Sequence, residues 1–171
     1  IGFYNVENLF DTVDDINVRD AEFLPGGDYK WSQDRYEAKL INISKVVSIM
    51  AGGPDILGLA EVENRGVIED LVTRTGLASE RYQILHQDSP DRRGIDVALI
   101  YKPGKFKPLH TEFIPFVVKD NPNFKTRDIL WTTGIYQGDT LHIAVNHWPS
   151  RRGGKADMRL LAAQILRNKV D

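Results

Sequence analysis

Between Pro54 and Gly76 the chain changes character twice within a short span, and that change narrows the folds open to it. Ile56, Leu57 and Leu59 make the unbroken apolar run that a strand buried on both faces requires. Residues 65–75 then read as a helix, with Asn64 as its cap and Gly76 as its stop. Strand, polar turn and helix in that order open an α/β layer. Glu61 and Glu63 fall at the carboxyl end of the strand, where open α/β sheets place their ligands. A carboxylate there is a hard-oxygen ligand for Mg²⁺ or Mn²⁺. It is equally a favourable neighbour of a helix N-terminus, with no metal needed.

A second informative stretch runs over residues 141–154. Leu141, Ile143 and Val145 share one side of a strand, and the two-residue period puts His147 on that side at the strand's end. Pro149 stops the strand, and Arg151, Arg152 and Lys155 set three cations beside an imidazole that titrates near neutrality. This is the composition of an anion site, and also of a capped histidine followed by solvated arginines.

An acid that opens a buried strand needs a partner, because an unpaired buried carboxylate costs several kcal/mol or must be protonated. Asp96 is such an acid, ahead of Val97, Ala98, Leu99 and Ile100. His147 is the most useful partner for it, since a carboxylate on one ring nitrogen fixes the tautomer and leaves the other facing substrate. Asn5 and Asn8 end an amino-terminal strand, where small amides either contact a bound phosphate or simply turn the chain. Arg127, at the mouth of a strand, is placed to aim a guanidinium at phosphate or to sit on the surface.

The remaining elements follow from periodicity. Ser32 caps a helix whose apolar face is Tyr36, Leu40, Ile43, Val47 and Met50, with Trp31 and Tyr36 placed as a hydrophobic staple. Gly52, Gly53 and Pro54 end it. Residues 82–86, 95–104 and 106–118 read as strands, and 127–136 with 140–146 as a hairpin around a three-residue loop. Residues 155–169 form an amphipathic helix.

With 171 residues and 42% hydrophobic content the chain is one domain, or part of one, with a real core. A net charge of −2 excludes a protein that coats nucleic acid through bulk charge, so phosphate affinity must come from local clusters such as Arg92-Arg93 and Arg151-Arg152. Without cysteine there is no disulfide frame, thiolate metal site or cysteine nucleophile. No apolar run reaches membrane-spanning length. The chain opens at Ile1 without an initiator Met, so targeting is not read from its start.

Five motifs, NVENLFD, DILGLAEVEN, RRGIDVALIYKP, TRDILW and VNHWPSRRGG, come in an order that resembles the amino-terminal half of the endonuclease/exonuclease/phosphatase superfamily. The resemblance implies an α/β fold, the DNase I-like sandwich of two packed mixed sheets, of which residues 1–171 would be about the first half of one domain. It implies that Glu61 is the metal-binding carboxylate for Mg²⁺ or Mn²⁺, Asn5 the early active-site amide, Asp96 the acid paired with histidine, and His147 the first of two histidines. Arg127, with Arg151 and Arg152, would bind phosphate. Ala60 departs from the Gln that many members carry before the metal ligand, and the family's later Gly-Asp-x-Asn and Ser-Asp-His motifs do not occur. The chain would then build one sheet and its helices, leaving an apolar inner face for the missing carboxy-terminal half. The implied activity is phosphoester hydrolysis, with a nucleic acid as the expected partner. A phosphomonoester, sugar phosphate or phospholipid substrate, and a non-catalytic phosphate-binding module, are the alternatives.

Overall fold

The computed structural model describes residues 1–119, 121–150 and 156–171. In chain order the elements are β1 (Gly2–Leu9), α1 (Gln33–Ile49), β2 (Ile56–Val62), α2 (Arg65–Thr73), β3 (Gln83–His86), β4 (Asp96–Tyr101), β5 (Phe106–Ile114), β6 (Ile129–Tyr136), β7 (Asp139–Val145) and α3 (Ala156–Val170). They build two sheets. The first is mixed, in the order β1-β2-β4-β3, with β1 and β2 parallel and the other pairs antiparallel. The second is the antiparallel sheet β5-β6-β7.

Alternation along β2 and β4 decides the layers. Leu57, Leu59, Ala98 and Ile100 face α1 and α2 in one core, with Tyr36, Leu40, Ile43 and Val47 of α1 and Val67, Ile68 and Leu71 of α2 against them. Ile56, Ala60, Val97 and Leu99 face the other way and meet Phe106, Leu130 and Val145 of the second sheet. Gly58 allows this close approach, since a Cβ there would lie 3.2 Å from both Val145 methyls. On the outer face of the second sheet lies α3, where the Lys169 ammonium pairs with Glu112 and sits 5.6 Å from the Trp131 ring centre. The sequence-based expectation of one sheet with an uncovered inner face is therefore corrected. Residues 106–145 form the second sheet themselves and bury that face.

Ser32 and Asn64 are the N-caps expected, accepting from the backbone N–H of Arg35 and Val67. The β6–β7 turn is shorter than the sequence spacing suggests. Tyr136 pairs with Asp139, leaving Gln137 and Gly138 as a two-residue turn with φ of 54° and 92°. Both signs match a type I′ turn, whose twist suits a hairpin. Only Gln137 is strained in it, so Gln137→Asn is expected to stabilise the fold by a few tenths of a kcal/mol to about 1, read as a rise in the thermal midpoint.

Candidate active site

The strand directions bring the carboxyl ends of β1, β2, β3 and β7 and the starts of β4 and β6 to one end of the sandwich. There the regular pairing breaks. Register shifts interrupt β1 between Asn5 and Leu9 and β2 between Ala60 and Val62. Glu7, Asn8 and Glu61 have φ values of 55°, 62° and 64°, a left-handed conformation costly for residues with a side chain. The bulge has a directional effect. Ala60 faces the second sheet and Val62 packs on the helix side, so Glu61 is the extra residue, and its carboxylate turns into the space between the sheets.

Glu61 Oε1 accepts a hydrogen bond from the Asn5 amide at 3.0 Å and lies 3.2 Å from His147 Nε2. The Asn5 amide oxygen in turn accepts from the Glu7 backbone at 2.9 Å, fixing which end of the amide meets Glu61. Both members of the Glu61–His147 pair remain partly open, with side chains 18% and 21% exposed. Burial, together with the charges of Arg127 and Arg93, outweighs the pull of Glu61 and Asp91 and lowers the His147 pKa to about 4. The ring is therefore neutral at pH 7, able to accept a proton or donate one N–H bond.

Arg127 supports this histidine from behind. Its guanidinium donates to Asp91 Oδ2 at 2.8 Å, to the His147 carbonyl at 3.1 and 2.7 Å, and to the Trp148 carbonyl at 3.3 Å. Only 6% of each side chain in the Arg127–Asp91 pair is exposed. Arg127 thus holds the backbone that carries His147, and it also lines the cleft where a phosphate would enter. This cleft, of about 310 Å³, opens beside these groups, and Arg92, Arg93 and Lys125 line it with Glu61 and His147. Arg151, Arg152 and Lys155 lie outside the described residues.

Asp96 is the second correction. It pairs with Ser89, whose backbone N–H donates to Oδ1 at 2.9 Å and whose hydroxyl donates to the same oxygen, and with His86 Nε2 at 3.6 Å, not with His147. The reason is the period of the strand. Asp96 shares the side of Ala98 and Ile100, facing the helices, whereas Val145 and then His147 belong to the opposite face. Glu63 also turns inward: 6% exposed, it accepts the Asp11 N–H at 2.7 Å, and burial raises its pKa to about 8. Sequence reasoning missed Asp91 and His86. Asp91 had a weak signal, an acid adjoining the basic doublet that its own loop presents.

The sequence matches the Endonuclease/Exonuclease/phosphatase family over residues 1–171. The chain belongs to that family. Among solved structures it is similar to a humanized D. rerio TDP2, at 16% identity and TM-score 0.65, over 98% of this chain and 54% of that one. It is also similar to the endonuclease/exonuclease/phosphatase from Bacteroides vulgatus, at 17% identity and TM-score 0.63, over 98% and 57% of the two chains. The human Nocturnin catalytic domain with bound sulfate matches at 23% identity and TM-score 0.55, over 76% and 51%. The chain thus spans about half the length of these solved relatives. No curated protein sequence matches it significantly.

Proposed function

We propose that residues 1–171 are the amino-terminal part of a single domain that hydrolyses phosphoesters with a divalent metal ion, and that its substrates are nucleic-acid phosphodiesters. The observation that carries this reading is the meeting of Glu61 and His147, from two different sheets, at 3.2 Å beside a cation-lined cleft. In a chain of net charge −2, Arg92, Arg93 and Lys125 concentrate positive charge where a polyanion would lie. A D. rerio TDP2 structure holds a single strand DNA product, which supports the same substrate class here.

The residues present fit a hard cation. Glu61 offers a carboxylate oriented by the Asn5 amide, while Asp91 is committed to Arg127, which suits Mg²⁺ or Mn²⁺ binding through one carboxylate with water and phosphate completing the shell. A bound ion of this kind polarises a non-bridging phosphoryl oxygen. His147, neutral and held through its own carbonyl by Arg127, supplies an N–H to the phosphoryl group or takes a proton. Asn5 fixes the Glu61 carboxylate.

A second reading keeps the fold and changes the ester, since another relative of this fold, ANGEL2, is a 2',3'-cyclic phosphatase. Plasmid nicking by the whole protein that carries this chain, set against hydrolysis of a 2',3'-cyclic phosphate and of small phosphate monoesters, separates the two. Nicking is expected, lost on chelation and restored by Mg²⁺ or Mn²⁺. Residues 1–171 by themselves are expected to give little or no turnover in the same assay, and metal-dependent nicking by this piece would refute its assignment as part of a site.

A further inference from the structure

His86 at the end of β3 is a buried side chain, 2% exposed, that the chemistry above does not use. Its Nε2 has no hydrogen-bond partner among the described residues. An orphaned ring nitrogen at this depth forgoes a hydrogen bond that buried polar groups normally make, unless something else fills the direction in which it points. What it faces is Asp96 Oδ2, at 3.6 Å. That gap is too long for a good N–H···O bond. It is close to the edge of a tetrahedron whose metal–ligand bonds are about 2.0–2.1 Å, an edge of roughly 3.4 Å.

Other features agree. Asp88 brings a third donor, its Oδ1 3.9 Å from the other ring nitrogen, Nδ1, and one ligand atom from each of His86, Asp88 and Asp96 lies within 4.8 Å of the others. Asp96 is also oriented as a ligating carboxylate is: Ser89 saturates Oδ1 through its N–H and hydroxyl, which leaves Oδ2 turned to the histidine. The adjoining cavity, of about 380 Å³, is bounded by the carboxylates of Asp15, Asp88 and Asp96 with Arg92 as the cation among its described lining residues; of its two other acids, Glu63 is held protonated by burial and Asp91 is paired with Arg127. The cavity favours a positive guest, whereas the cleft beside His147 favours a negative one.

We propose that His86, Asp88 and Asp96 form a second cation site on the helix-facing side of the first sheet, taking a divalent transition ion of the Zn²⁺ class. One imidazole and two carboxylates suit such an ion better than Mg²⁺, which takes oxygen ligands. Asp88 is 80% exposed, so water completes the coordination. The consequence lies in the loop between β3 and β4. Asp88 and Ser89 belong to it, and so do Asp91, which holds Arg127, and Arg92 and Arg93, which line the substrate cleft. An ion bridging His86 and Asp96 to Asp88 pins that loop at both ends.

The test is a calorimetric titration of metal-stripped chain with Zn²⁺, run on the parent, Glu61→Gln, Asp88→Asn and His86→Gln. Glu61→Gln is expected to keep one equivalent of Zn²⁺ and the accompanying rise in thermal midpoint. Asp88→Asn, at an exposed position the fold does not need, is expected to bind at least about tenfold more weakly, and His86→Gln to lose binding. The proposal is overturned if Glu61→Gln binds no Zn²⁺, if Asp88→Asn binds as tightly as the parent, or if Mg²⁺ binds there equally well. Should His86→Gln fail to fold, Asp88→Asn decides.

Discussion

In the whole protein that carries this chain, Glu61→Gln is expected to leave the fold intact and to lower the proposed metal-dependent phosphodiester hydrolysis by about 10²- to 10⁴-fold, the scale of losing a positioned charged group at a reacting centre. Glutamine keeps the volume, and its carbonyl still accepts from the Asn5 amide, so what the change removes is the negative charge. A companion variant separates chemistry from scaffolding. Glu61 stands at φ 64°, where a side chain costs about 1–2 kcal/mol and glycine meets no steric cost but gives up about 0.5–1 kcal/mol of unfolded-chain freedom. Glu61→Gly relieves that strain and forfeits the Asn5 bond, worth about 1 kcal/mol. These nearly cancel, so its unfolding free energy should stay within about 1 kcal/mol of the parent while hydrolysis is lost. A residue kept for stability behaves in the opposite way: a loss above about 2 kcal/mol in denaturant unfolding, with activity spared, would place Glu61 in the scaffold.

That residue also shows where sequence reasoning stops. Its location at a strand end follows from the apolar run before it and the Asn64 cap after it, features that act locally and so leave a local record. The bulge that turns the carboxylate between the sheets leaves none, because a left-handed φ at glutamate is imposed by the register of β2 against β1 and β4. Asp96 makes the point from the other side. Its need for a partner is legible in a single strand, but the choice between His86 and His147 depends on which face of the sheet each strand presents, and only the packing of the two sheets fixes that. The second sheet itself was half legible. Residues 106–145 read as strands and a hairpin, yet nothing in their alternation says that their apolar side closes over Ile56 and Leu99.

Arg127→Ala is expected to destabilise the protein by about 3–5 kcal/mol, a large share of the 5–15 kcal/mol typical of a folded domain. The loss does not come from the ion pair's own strength. Removing the guanidinium takes from Asp91 Oδ2 its close buried counter-charge, leaving only the half-exposed Arg93 at 3.5 Å from Oδ1, and strips the donors from the carbonyls of His147 and Trp148. At this chain length the shift in thermal midpoint should be about 6–20 °C. Asp91→Asn keeps an acceptor in place and removes the buried charge, so it should cost less, and in the double variant the orphaned charge disappears. The double variant is therefore expected to lie above the sum of the singles, with a coupling of about 1–3 kcal/mol in a double-mutant cycle. If Arg127 were instead a surface residue reserved for phosphate, Arg127→Ala would unfold within about 0.5 kcal/mol of the parent and only substrate affinity would fall. The geometry of its four hydrogen bonds, all directed at this chain's own atoms, argues for the larger number. Activity should fall with stability in the alanine variant, because the carbonyl that Arg127 grips is that of the histidine facing Glu61.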